Sequence, residues 1–489
     1  MKKMICMMLS VLMILAIFTG CSNNNSSEES SEQTEISETK DSNNENAETA
    51  NNDQPGGTPP DKPDGEGGGP GGSALGGAPG GSSTSGFTYA ASTEITSATS
   101  ETGKSYSSST ADESALIVTT DEDVVITNPT VTKTGDSDGG DNCNFYGLNA
   151  AVLVKDGGTT TISGGTVSSS ASGANGVFCY GGNGGQNGAT GDGTTLIIEN
   201  TKITTTGSGS GGIMTTGGGI TYAYNLEVET SGGSSAPIRT DRGGGTVYVD
   251  GGTYTSNGLG SPAIYSTADI SVSNATLVSN LSEGVCIEGK NSITLVDCNL
   301  AANNTKCNGN ATFYDSIMIY QSMSGDADSG TSSFTMSGGS LTSKNGHVFH
   351  VTNTNAIIKL TDVDIMNKDS ENILLSVCDD GWSGGSNVAS LTAVKQELNG
   401  AILVGSNSTL TLSITEGSLF EGYINGQITN ASGSVVSTDV GTVNVTLDST
   451  STWTLTADTY VTSFNGNASN VIGNGYKLYV NGTALSGIN

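Results

Sequence analysis

The sequence predicts an all-β protein built as a single right-handed parallel β-helix, and three observations lead there. First, apolar pairs five residues apart (Val249/Tyr254, Val272/Leu277 and Leu295/Leu300) follow one another every 23 residues within 236–300. A fixed period of that length marks stacked structural units. Second, Gly is 71 of 489 residues, Pro only 9 and aromatics 5%, a turn-rich β composition with a narrow core. Third, no 3.6-residue periodicity persists beyond a turn or two, so helices are not expected.

In chain order, residues 1–20 read as an export signal: Lys2 and Lys3, an apolar run over 4–18, then Thr19-Gly20. The run is too short to serve as a lasting span. Phe18-Thr19-Gly20-Cys21 resembles a bacterial lipobox, which implies acylation of Cys21 and attachment to the outer face of the cell membrane. Residues 21–86 are Ser/Asn/Glu-rich and then Gly/Pro-rich, with too little apolar content to offset chain entropy. They are expected to be a disordered acidic tether.

The helix is expected over 87–489. Pairs five apart recur at Ile126/Val131, Ile162/Val167, Ile198/Ile203 and Ala223/Val228, then at Met336/Leu341, Leu360/Ile365, Ala393/Leu398 and Ile414/Leu419. Intervals of 21–26 residues are bare coils, and longer ones carry a loop. A third short strand follows each pair, as in Ile213-Met214, Ile238-Arg239, Ile264-Tyr265 and Cys286-Ile287-Glu288. Three strands per coil give a triangular prism with alternate side chains inward. Roughly a dozen coils are expected, with residues 442–489 capping the open end, because an uncapped stack exposes strand edges.

The extra residues, at 134–147, 181–193, 303–313, 322–331 and 379–388, flank the third strand and are expected to wall a groove. Its floor would be one outward row of Arg239, Tyr265, Glu288 and Tyr320, with Trp382 on a flanking loop. Aromatic faces alternating with charged hydrogen-bonding groups suit an extended, hydroxyl-rich ligand, although an ordinary solvated β face can carry the same residues. Arg239 and Arg242 are the only arginines; they suit an anionic sugar or an ion pair with Asp241. Asp136, Asp138 and Asp141 lie in a Gly-bearing loop that can offer oxygens to Ca²⁺. Six cysteines follow Cys21; Cys298 and Cys307 are the nearest candidates for a disulfide, with small buried fillers as the alternative.

A net charge of −31 argues against nucleic acid as a partner. Over residues 114–475 the repeat pattern resembles bacterial surface lipoproteins with the pectin-lyase-like β-helix, adhesin-like or carbohydrate-binding. That resemblance implies a monomer whose partner is a polysaccharide, a cell-wall or host glycan, with the membrane reached only through the lipid. The fold also hosts polysaccharide lyases and glycoside hydrolases, so activity has to be argued from the site. A lyase would use Arg239, Arg242 or Lys290 as base beside a Ca²⁺ held by Asp241 and Glu288. The hydrolase pattern is incomplete: Cys378-Asp379-Asp380-Gly381 has no Asn-Thr-Asp before it, and Gly346-His347 precedes rather than follows it. A purely structural surface rod is the third reading.

Overall fold

The computed structural model describes residues 87–489 except 138, 184–189, 308 and 383–384. The expected signal, the tether, Cys21 and Asp138 therefore lie outside the described residues. What is described is a parallel β-helix. One 22-stranded sheet carries the first two strands of most coils, and a 13-stranded parallel sheet carries the third.

The repeat positions do what their spacing implies. Coil to coil, Ile126 pairs with Ile162, Ile162 with Ile198, Ile198 with Ala223, Ala223 with Val249 and Val249 with Val272. The ladder continues through Leu295, Met336, Leu360 and Ala393 to Ile414. All face one continuous interior core. Inside each pair the chain must bend sharply, and the residue two places after the first member makes the bend with a left-handed backbone. Asn128, Asn200, Asn225 and Asn274 have φ of 50–54°, and Gly164, Gly251 and Gly338 have φ of 65–74°. Gly, Asn and Asp predominate there because most other L-residues are strained in that region, although Lys395 and Glu416 also adopt it.

Two details of the repeat differ from expectation. Leu419 is 47% exposed, and Phe420 pairs with Leu398 on the inward side instead. The turn between Ile414 and the next inward residue is one residue longer, with both Glu416 and Gly417 at positive φ. Within the stretch read as a loop, Asp141–Phe145 forms a short α-helix that buries Cys143 and Phe145.

Residues 442–489 add coil as well as cap. Thr442–Leu447 extends the 22-stranded sheet, then Leu478–Val480 pairs antiparallel with Thr483–Ala484. Leu485 and Ile488 pack against the end of the core. Thirteen third strands at about 4.8 Å each give a stack of about 60 Å. Cys298 and Cys307 both remain thiols. Cys298 points into the interior with Sγ on the Val272 carbonyl, whereas Cys307 sits outside the helix near Phe313, in a separate apolar cluster.

Candidate functional site

The third-strand sheet sets the register of the predicted row. Ile213, Ile238, Ile264, Val285, Ile317 and Phe349 form its inward ladder. The outward neighbours are therefore Met214, Arg239, Tyr265, Cys286, Met318 and His350. Glu288 pairs with Tyr320, so these two occupy the next outward row, two residues further along their strands. The expectation of one row is corrected to two. Val285 and Ile287 are both inward and apolar, so a slip of two residues leaves the apolar pattern unchanged.

The groove is corrected as well. Arg239, Tyr265, Glu288 and Tyr320 are each no more than 4% exposed, because the flanking segments fold over the face instead of walling it. Phe145 and Tyr146 cover Leu153, Phe178 and Met214. Ala311, Cys307 and Trp382 cover Tyr265, Cys286 and Met318. Phe313 and Ile428 cover Leu403. The third sheet is thus buried on both sides, with a second apolar layer outside the helix.

Under this roof the predicted residues meet. Arg239 donates to Asp241 Oδ2 at 2.8 Å and to the Ser234 carbonyl at 2.9 Å. Its guanidinium lies 5.9 Å from the Tyr265 ring centroid. Tyr265 donates to Glu288 Oε2 at 2.5 Å and Tyr320 to the same oxygen at 3.1 Å. Ser322 and Ser324 serve the other carboxylate oxygen. Arg242 lies on the Phe145 ring at 4.2 Å and bonds Asp326 Oδ1 through Nη2 at 2.6 Å. The half-buried indole of Trp382 packs on Tyr320, with centroids 5.0 Å apart.

Burial dominates the electrostatics. It pushes the Asp241 carboxyl up to about 7; the Arg239 guanidinium pulls it down by less, and Asp326 adds to the rise. Burial likewise raises Glu288 despite its hydroxyl donors. At the edge, Asp141 is raised by partial burial and by Asp326, against the pull of Arg242 and Arg239.

No family model matches the chain, and no curated protein and no solved structure matches it.

Chemically, the site is an ionic and hydrogen-bonded network with a buried centre that reaches the surface at Arg242, Trp382 and the Ser322 and Ser324 hydroxyls. The residues of the lyase alternative do not converge on an open cleft. Asp241 and Glu288 are buried, and Lys290 sits beyond the end of its strand, exposed and paired with Asp328 at 2.8 Å. For the proposed Ca²⁺ loop, Asp136 accepts from the Ser172 amide, and Asp141 interacts electrostatically with Arg242 and Asp326. Among the described residues, no group of three or more His, Cys, Asp or Glu side chains is arranged to hold a metal ion.

Sequence reasoning missed a second constellation, which begins on the strand next to that of Tyr320. His350 Nε2 lies 3.2 Å from Asp380 Oδ2, and His350 Nδ1 lies 2.7 Å from Ser376 Oγ. Ser376 Oγ is also 2.7 Å from His347 Nδ1. With His350 Nε2–H on Asp380, the proton order His347 Nδ1–H to Ser376 Oγ–H to His350 Nδ1 satisfies every one of these contacts. Burial raises the Asp380 carboxyl, but the bonds from His350, Thr312 and Gly381 outweigh it and hold the group below its usual range. The residues are those of a hydrolytic triad, but Ser376 and His350 are 0% exposed and Phe313 packs on both imidazoles, so no substrate carbonyl reaches the hydroxyl.

The cluster has a titration signature. Burial, then the neighbouring His350, lowers His347 to about 3, against about 6.5 in an unfolded chain. The unfolded state therefore binds the extra proton between those values, and stability falls as pH drops from about 6.5 towards 3. His347→Gln should remove a slope of up to about 1.4 kcal/mol per pH unit in that window. Urea titrations at pH 4 and 6.5 check this, and parallel wild-type and variant curves would sink it.

Proposed function

We propose that this chain is an exported, lipid-anchored β-helix that binds polysaccharide at the bacterial cell surface, as adhesins do. The supporting observation is the assembly of both arginines with Trp382, Tyr320, Tyr265 and Glu288 into one network. Beneath Trp382, hydrogen-bonded aromatics and carboxylates hold the indole support rigid, as a sugar-stacking platform requires. Arg242 supplies directional donors for hydroxyls beside it. Four carboxylates (Asp141, Asp241, Asp326 and Glu288) surround two guanidiniums, so an uncharged glycan suits this surface better than an anionic one. The basic N-terminus, the apolar run and Cys21 support export and acylation.

A glycan array comparing wild type with Trp382→Ala tests the reading. Retention on the bound neutral glycans should fall about tenfold or more, since one lost stacking contact in a desolvated site is worth about 1.4 kcal/mol. Undiminished retention on every glycan would remove Trp382 and its network as the binding surface.

A further inference from the structure

On a different face, the strands Thr195–Glu199, Gly219–Thr230, Gly245–Ser256 and Asp269–Ser273 turn outward rows to solvent. In the first row Tyr222 and Tyr248 are coil-to-coil partners, stacked with centroids 5.1 Å apart and planes 13° from parallel. Tyr248 is 44% exposed. The next residue in the row, Ser271, is too short to cover the far face of the Tyr248 ring. In the adjacent row Tyr224, 37% exposed, stands between Glu199 and Asp250, one coil to either side. Both carboxylates are braced: Glu199 accepts from Ser163 at 2.9 Å, and Asp250 from Ser273 at 2.9 Å and Asn274 at 2.6 Å. Neither row carries Lys or Arg across these four strands.

We propose that this patch (Tyr222, Tyr224 and Tyr248 with Glu199 and Asp250) binds a cationic glycan, a polymer of amino sugars with free amines. The open ring face of Tyr248 takes the C–H face of a pyranose. An ammonium on the sugar meets both the tyrosine rings and the two carboxylates, whose attractions reinforce each other. The Ser and Thr of the surrounding rows accept and donate to hydroxyls. An anionic polymer is repelled here by Glu199, Asp250 and the net charge of −31. A basic peptide is the poorer fit: these strands lie inside the sheet, paired on both sides, and offer no free edge for main-chain addition. The site shares no residue with the network beneath Trp382 and stands independently of it.

The test is calorimetric titration of the full chain with a β-1,4-linked glucosamine hexamer and with its fully N-acetylated counterpart. The amine form should bind, and the acetylated form should bind about tenfold more weakly or not at all. Tyr248→Ala should weaken the amine form about tenfold, and Asp250→Asn by severalfold, with both variants melting near wild type because the side chains are exposed. Trp382→Ala should leave this binding unchanged, which separates the outcome from that of the neutral-glycan surface. Equal binding of the two hexamers by the Trp382→Ala protein, no binding of the amine form, or undiminished binding of it by Tyr248→Ala would overturn the proposal; the last would mark simple attraction to a negatively charged protein.

Discussion

Arg239→Met should destabilise the protein by about 3–5 kcal/mol at pH 8, because it leaves the Asp241 carboxylate buried without its partner. Asp241 is 0% exposed and keeps only the Arg242 amide. The loss should shrink as pH falls below about 7, where the Asp241 carboxyl already takes up a proton in the wild type. The folded state holds that proton more tightly than an unfolded aspartate, so this group favours folding at low pH and loses that contribution as pH rises from about 4 through 7. The double variant Arg239→Met/Asp241→Leu should recover most of the loss, since well-packed apolar replacements of buried pairs are often near neutral. Urea unfolding of the three proteins at pH 6 and 8 decides the matter. A loss below 1 kcal/mol for the single variant at pH 8 would mean that the pair is hydrated, not buried.

Phe178→Ala should cost as much as Phe349→Ala, about 3–5 kcal/mol each. Phe349 is an interior residue on the inward ladder, packed against Phe334 with centroids 5.7 Å apart. Phe178 points the other way, out of the helix, yet it is 0% exposed under Phe145 and Tyr146. On an open face its truncation would cost only a few tenths of a kcal/mol. Comparing the two unfolding free energies therefore measures the roof directly. A small effect at Phe178 beside a large one at Phe349 would restore the open groove.

The fold was legible because its signal is redundant. Apolar pairs at one spacing, with Asn, Gly or Asp two places after the first member, repeat along most of the chain, and the backbone needs that left-handed bend in every coil. The third strands carried less information. Within Val285-Cys286-Ile287-Glu288 two inward positions are apolar, so the pattern fixes which side faces in but not which coil neighbour each residue meets. The roof left a readable trace: Leu153, Phe178, Met214 and Met318 are outward residues that no solvated face would favour, and strands buried on both sides read as continuous apolar runs. Ser376 and Asp380 could not be joined to the histidines by spacing alone. Only the pairing of His350 with Ser376 brings a hydroxyl to an imidazole 26 positions away in sequence.

In a simple solenoid each layer touches only the layers above and below, and such stacks come apart piecemeal. Here the covering segments act as straps. Arg242, following the strand Ile238–Thr240, grips Asp326 three layers on; the Thr312 amide holds Asp380, and the Thr312 carbonyl is held by the amide of Ala431 from still further along. Layers that share no ladder are thereby fastened together, so the middle of the protein opens as one block while its two ends remain free to fray.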